Sequence, residues 1–321
     1  MIITPALVRD LLTAQFPQWS GLPLTLLEPA GSDHVIHRLG DTMTVRLPRS
    51  EWADGEAAKE HIWLPLLSPH LPLTVPDPLA LGTPTPDYPW HWSVTRWLDG
   101  TPATTDDLDS TPDLMVRQLA AFLRSLWAIP AADSLRPGPH PELVRAPLAA
   151  RDRATRAAIK AVDGVFDTAA LTEIWEKALA APAWDRPPVW CHGDFHAGNL
   201  LTAGGRISAV IDFGGLGMGD PACDLVIAYT LLSATTRSLF RASLGVDEAT
   251  WTRGTGWALA AGVAAYARVA ATEPRVARQS ARQLSEVIAE HTGASAVTVP
   301  CPGTTFTRSA EAVVPPASTE Q

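Results

Sequence analysis

The sequence predicts an α+β protein of two lobes, and three observations carry that expectation. Early in the chain, three short apolar runs, Leu24–Pro29, Val35–Leu39 and Met43–Leu47, are separated by Gly31-Ser32-Asp33-His34 and Gly40-Asp41, the pattern of strands joined by turns. Beyond Gly100 the apolar spacing becomes that of helices. Between those helices, residues 189–220 combine short strands with polar residues on their loops. With 321 residues the chain can bury one large core or two lobes. The expected division is residues 1–99 as a lobe of antiparallel sheet plus helix, 100–291 as a larger and mainly helical lobe, and 292–321 as a disordered tail without periodicity.

Composition narrows the class. Hydrophobic residues make up 46% of the chain and charged residues 18%, as in a folded globular protein. A net charge of −9 argues against nucleic acid as a partner, since phosphate binding needs clustered Lys and Arg. Three cysteines, Cys191, Cys223 and Cys301, lack metal-like spacing and point to a reducing, cytoplasmic setting. The N-terminal residues do not read as a signal peptide, and the most apolar later run, Gly256–Ala267, is too short to span a membrane.

In chain order, Thr4 and Pro5 are the N-cap and first residue of a helix reaching Phe16, with Leu7, Leu11 and Leu12 on one face. The three strands follow, then a helix expected over Glu51–Ser68 with Trp63, Leu64 and Leu67 inward. Proline-rich Leu71–Pro89 favours extended segments. His91–Leu98 alternates as a strand and ends at Asp99-Gly100, the expected lobe boundary. Thr111–Trp127 is a helix with Leu114, Leu119, Phe122, Leu123 and Leu126 apolar, followed by a proline-rich connection and helices near 148–162 and 168–181. Arg151, Arg153, Arg156 and Lys160 form a basic face that reads as solvated or paired. Asp220–Ser233, Glu248–Ala271 and Val276–His291 read as three further helices.

The chemistry is densest in VWCHGDFHAGNLLTAGGRISAVIDFGGLGMGD, residues 189–220. A strand delivers His192-Gly193-Asp194, Asn199 follows, and a second strand ends in Ile211-Asp212-Phe213-Gly214. Two carboxylates and a carboxamide on strand-end loops suit holding Mg²⁺ on a nucleotide while one of the three orients an acceptor hydroxyl. Competing motifs fail. There is no G-K-[ST], the run Gly214–Gly219 lacks G-x-G-x-x-G spacing, and the histidines do not form a two-metal ligand set.

H-G-D-x-x-x-x-N followed by I-D-F-G resembles the catalytic and metal loops of the protein-kinase-like fold. With Gly219-Asp220-Pro221-Ala222-Cys223-Asp224-Leu225 after it, the pattern is more similar to the aminoglycoside phosphotransferase family. Protein kinases carry Arg where Gly193 stands. The resemblance implies a bilobal kinase-like fold, Asp194 as catalytic base, His192 as hydrogen-bonding support of that loop, and Asn199 and Asp212 as Mg²⁺ ligands. It implies Ser32 as a phosphate contact and Arg46 in the place of the Lys that grips the α- and β-phosphates. Glu60 would pair with Arg46, with Glu56 as the competitor one turn earlier. The strand bearing Ser93, Thr95 and Trp97 would be the hinge whose backbone reads the adenine edge. Asp220 and Asp224 would cap or anchor the next helix, and His196 has no assigned role.

The implied activity is Mg²⁺-dependent transfer of the γ-phosphoryl group of ATP, or GTP, to a hydroxyl of a small molecule. An antibiotic of aminoglycoside or macrolide type comes first among acceptors. An endogenous amino alcohol or sugar is the alternative within the same mechanism. A nucleotide-binding protein without turnover is the rival from another class.

Overall fold

Thr4 takes extended backbone and accepts a hydrogen bond from Leu7 N at 3.2 Å, which starts helix α1 (Pro5–Gln15). This computed structural model describes residues 2–27, 33–270 and 272–293. Gly31 and Ser32 therefore lie outside the described residues, as does the expected tail from residue 294 onward.

Strands β1 (Leu24–Leu26), β2 (His34–Leu39), β3 (Met43–Pro48), β4 (Pro78–Gly82) and β5 (Trp92–Arg96) form one antiparallel sheet in the order β1-β2-β3-β5-β4. Gly40, with φ +59°, turns the chain between β2 and β3. The sheet has its own apolar cluster, in which Val8, Leu11 and Leu12 of α1 meet Leu39, Val45, Trp92 and Val94. Gly82 has no substitute here, because a Cβ at that position would lie 2.0 Å from the Trp92 ring.

The helix expected over Glu51–Ser68 is broken. A 3-10 turn at Glu51–Ala53 precedes α2 (Glu56–Leu67), because Gly55 adopts φ +92° and leaves the right-handed helix. Trp63, Leu64 and Leu67 of α2 pack with the larger apolar cluster of the chain, where the Trp63 and Trp190 rings are 5.2 Å apart. The helix is thus held by the larger core while its charged side meets β3 and the turn at 213–215.

Past Gly100, β6 (Thr101–Pro102) joins β8 (Leu200–Ala203) and β9 (Arg206–Val210) in a small sheet, and β7 (Val189–Cys191) pairs with β10 (Gly217–Gly219). Around them lie α3 (Thr105–Ser110), α4 (Pro112–Ala128), α5 (Ala132–Leu135), α6 (Asp152–Ala161), α7 (Thr168–Ala180), α8 (Ile227–Thr230), α9 (Ala234–Leu244), α10 (Glu248–Val269) and α11 (Pro274–Thr292). Thr104 and Asp107 start α3 with a reciprocal capping box.

In α4 the buried set is Met115, Val116, Leu119, Ala120, Phe122, Leu123 and Leu126. Leu114, expected inward, is 47% exposed, because the apolar stripe is centred one position later. Asp220–Ser233 is not one α-helix: Pro221–Val226 is 3-10 and only α8 continues it. Asp220 caps this segment through Ala222 N, whereas Asp224 is drawn inward under the 192–194 loop. Among the described residues no helix is long and apolar enough to cross a membrane.

Candidate active site

β7 ends at Cys191 and the chain turns sharply through His192, Gly193 and Asp194. Phe195, fully buried, stacks on Phe122 of α4 with centroids 5.5 Å apart, which anchors the loop from below. Asp224 holds it from behind, accepting hydrogen bonds from His192 N at 3.1 Å and Gly193 N at 2.8 Å. Arg145 holds it from the side, donating to the carbonyls of Gly193, at 3.3 Å, and Gly215.

Gly193 has φ +82°, and a Cβ there would lie 2.0 Å from Arg145 Nη1 and 2.1 Å from the Gly215 carbonyl oxygen. A side chain at 193 would compete for the volume that the Arg145 guanidinium fills. We therefore expect Gly193→Ala to lower stability by about 1–3 kcal/mol and to depress activity beyond that loss. Denaturant melts together with turnover would check this, and an unchanged midpoint would mean that the loop yields easily.

His192 is fully buried and links two loops. Its Nδ1 accepts from Asp194 N at 3.3 Å, so Nε2 carries the proton and donates to the Ile211 carbonyl at 3.1 Å. Burial lowers its pKa, which keeps this neutral tautomer. The ring packs 4.5 Å from that of Phe213. His192 thus ties the Asp194 loop to the Asp212 loop.

Asn199 Nδ2 donates to the Asp194 carbonyl at 2.9 Å and to Asp194 Oδ2 at 3.1 Å, which leaves its own Oδ1 available as an acceptor. The Asn199 carbonyl accepts from Ile211 N at 2.9 Å, so the two strand ends are tied together beside Asp212. Asp212 has φ +65°, the one positive value at a non-glycine residue among the described residues. For such a residue this conformation is strained and is sustained by its surroundings. Glu60 supplies part of that support, accepting from Phe213 N at 2.9 Å through Oε1 and from Arg46 Nη1 at 2.7 Å through Oε2. The other side of Arg46 donates to Asp212 Oδ1 at 3.2 Å. One line of charge therefore runs from β3 through α2 to the Asp212 loop.

The Asp194 side chain is 58% exposed, and His196 Nε2 lies 3.4 Å from its Oδ2. Burial alone would raise its pKa, but the hydrogen bond and charge of His196, aided by His192 and Asn199, outweigh this and hold it at about 2. Burial opposes charge on His196 as well, yet its bond to Asp194 raises its pKa above the ordinary value. The site thus presents an ionised carboxylate, a free carboxamide oxygen and a second carboxylate. These hard oxygen donors suit Mg²⁺.

Arg46, Glu60, His192, Asp194, Asn199 and Asp212 are thus brought together in one continuous network. Glu56 does not reach Arg46. It lies 3.7 Å from His34, and burial, with the charges of Asp212 and Glu60, raises its pKa to about 7. Ser93 and Thr95 lie in β5 and Trp97 just beyond it. β5 is flanked by β3 and β4, so the backbone of Ser93 and Thr95 is committed to the sheet. Ser93 is buried opposite Arg46, and Thr95 Oγ1 lies 2.6 Å from Thr44 Oγ1. Trp97 N donates to the Thr42 carbonyl at 2.8 Å and its indole to Asp99 at 2.7 Å.

Three residues hold the Asp194 loop in ways the sequence does not assign: Asp224, expected to cap or anchor the next helix, His196, left without a role, and Arg145. Asp224 lay within the quoted G-D-P-x-x-D-L run, so a signal for it existed. His196 had none beyond its closeness to Asp194, and Arg145 sits in a proline-rich connection with no periodicity. The structure also brings the sulfurs of Cys191 and Cys223 and a carboxylate oxygen of Asp224 within 4.8 Å of one another. All three residues are buried, burial raises the Cys191 thiol pKa, and both Asp224 oxygens serve the loop.

The family model of the phosphotransferase enzyme family matches residues 27–263. An aminoglycoside phosphotransferase solved with GDP and kanamycin is similar at TM-score 0.69 and 21% identity, covering 89% of this chain and 98% of that one. Another, solved with streptomycin and ATP, has TM-score 0.59 and 14% identity, with 92% and 98% covered. The macrolide 2′-phosphotransferase of Brachybacterium faecium has TM-score 0.57 and 25% identity, with 86% and 97% covered. No curated protein matches the sequence.

Proposed function

Because the chain belongs to the phosphotransferase enzyme family, we propose that it transfers the γ-phosphoryl group of a nucleoside triphosphate to a hydroxyl of a small molecule. The observation that carries this reading is the joining of the Asp194 loop, Asn199 and the strand end before Asp212, tied to Arg46 through Glu60 and Asp212. ATP is the first donor to test and GTP the second, since the similar structures were solved with nucleotides of both bases. Aminoglycosides and macrolides, the substrates in the names or contents of those structures, head the acceptor panel. Amino alcohols and sugars follow.

Phosphoryl transfer asks a protein for alignment and charge neutralisation more than for covalent chemistry. Asp194 accepts the hydrogen bond of the acceptor hydroxyl and aims its oxygen at phosphorus. A carboxylate this weakly basic orients the attack and takes the proton only as the new P–O bond forms. Asn199 Oδ1 and Asp212 would hold Mg²⁺, which when bound neutralises the phosphate oxygens. Arg46 offers a planar fork to the phosphates, and Glu60 keeps that fork extended. His192, Asp224 and Arg145 position the loop.

The test is phosphorylated product, identified by mass, from ATP or GTP with and without Mg²⁺ across the panel. Nucleotide binding without product from any acceptor would favour a binding protein instead. The His196–Asp194 pair adds a pH prediction. Below its raised pKa His196 is cationic beside Asp194 Oδ2; Gly198 N donates to its Nδ1 at 3.0 Å, so as pH rises through that pKa the ring loses its charge while Nε2 keeps its proton, and the carboxylate becomes more basic. We expect kcat/KM to rise with pH through an ionisation above 6.5, the ordinary histidine value, and His196→Gln to remove that limb. An identical profile in the variant would exclude His196 as its source.

A further inference from the structure

Next to the Asp212 loop lies a pocket of about 270 Å³ whose lining includes none of Arg46, Asp194, Asn199 or Asp212. Its walls come from α2, the connection between α5 and α6, the residues after Phe213, and α10. Three cations line it: Lys59, Arg145 and Arg151. Their partners are neutral. Lys59 donates to the Gly214 carbonyl, Arg145 to the carbonyls of Gly215 and Gly193, and Arg151 lies 4.7 Å above the Trp257 ring. Glu142 is the single carboxylate of the lining, and its Oε1 is engaged by Trp63 Nε1 at 3.3 Å and faces His140 at 3.5 Å.

Two more donors on lining residues, Arg145 Nε and Trp257 Nε1, are buried without an acceptor. Burial lowers the pKa of both Lys59 and Arg151, and the charge of Arg145 adds to this, outweighing the opposing charge of Glu56 on Lys59 and of Asp194 on Arg151. In a chain of net charge −9, this is a local reversal of sign. It also adjoins the chemistry: Arg145 touches the residue before Asp194, and the charge of Asp194 acts on Arg151.

We infer that this pocket seats an anionic group of the acceptor, a carboxylate or phosphate, so that the molecule phosphorylated is an anion rather than a polycation. The inference rests on the phosphotransfer reading above and deepens it. An oxyanion would pair with the charged heads of Lys59, Arg145 and Arg151 through charge-assisted hydrogen bonds, and guanidinium groups match its geometry. A polyamine would meet three like charges. The volume suits one functional group of the acceptor, with the hydroxyl directed toward Asp194.

The experiment compares acceptors that share one alcohol skeleton and differ in a carboxylate, a carboxamide or an amine, with kanamycin as the polycation. We expect kcat/KM to favour the carboxylate by roughly tenfold or more. Arg151→Glu should erase or invert that order, acting mainly through acceptor KM. Arg151 is exposed, so this variant should melt as the parent does. Inorganic phosphate, the free form of the same chemistry, should inhibit competitively against the acceptor, and less so in Arg151→Glu. Equal or better use of the amine or of kanamycin would overturn the inference and leave phosphotransfer standing. So would inhibition by phosphate competitive with the nucleotide alone. Failure of every alcohol, with nucleotide binding intact, would instead overturn the phosphotransfer reading and this inference with it.

Discussion

Asp194→Asn should lower turnover by roughly 10²–10⁴-fold, the contribution of a positioned general base, and change nucleotide affinity little. The variant keeps the size of the side chain, so the contact from Asn199 has a replacement oxygen and the backbone bond at 2.9 Å is untouched. What disappears is the negative charge facing the acceptor hydroxyl. An amide oxygen can still accept a hydrogen bond, but it cannot take the proton as the oxygen–phosphorus bond forms. The loss should therefore appear in kcat, with acceptor KM moving less. Product formation under saturating acceptor, together with nucleotide titration, separates these effects. Turnover within a few-fold of the parent would remove Asp194 from the mechanism.

The same residues show how much the sequence could disclose. Asp194, Asn199 and Asp212 were legible because their chemistry is tied to short local spacings, H-G-D-x-x-x-x-N and I-D-F-G, that survive without any knowledge of the fold. The N-terminal sheet and most helices were legible from alternation, periodicity and caps, as with Thr4 at α1. The break before α2 was not, since Gly55 marks it only through its backbone angle and a glycine inside a helical pattern is ambiguous. The one-position shift of the α4 stripe that exposes Leu114 is likewise set by what packs against the helix.

Long-range relations were the least legible. Whether Glu56 or Glu60 meets Arg46 depends on how α2 is rolled against the sheet, and both lie on a plausible face. That Arg145 fills the space left by Gly193 could not be read from either residue alone, because 48 positions separate them. That the backbone of Ser93 and Thr95 is paired on both sides was hidden for a related reason. A strand can be recognised from its alternation, but whether its edges are free depends on β4 pairing beside it. The basic pocket has the same origin: α2, the proline-rich connection and α10 supply it from distant parts of the chain, so no run of positive charge announces it.

Asp212→Asn is expected to separate metal-dependent from metal-independent nucleotide binding. Asparagine tolerates the left-handed backbone that Asp212 occupies at φ +65°, so this variant should preserve the loop where alanine would add strain. It removes one carboxylate charge while Glu60 still holds Arg46 at 2.7 Å, so the phosphate-facing guanidinium stays in place. Nucleotide affinity measured in EDTA should therefore hold or improve slightly, because a negative group facing the phosphates is gone. Affinity measured with Mg²⁺ should fall by roughly 10–100-fold, at least the loss seen on disturbing the supports of metal ligands, and kcat should fall with it. The diagnostic quantity is the ratio of the two affinities. If Asp212 carries the metal, Mg²⁺ should strengthen binding far less in the variant than in the parent. An unchanged ratio would reassign Asp212 to holding Arg46 alone, a role the 3.2 Å contact between them already permits.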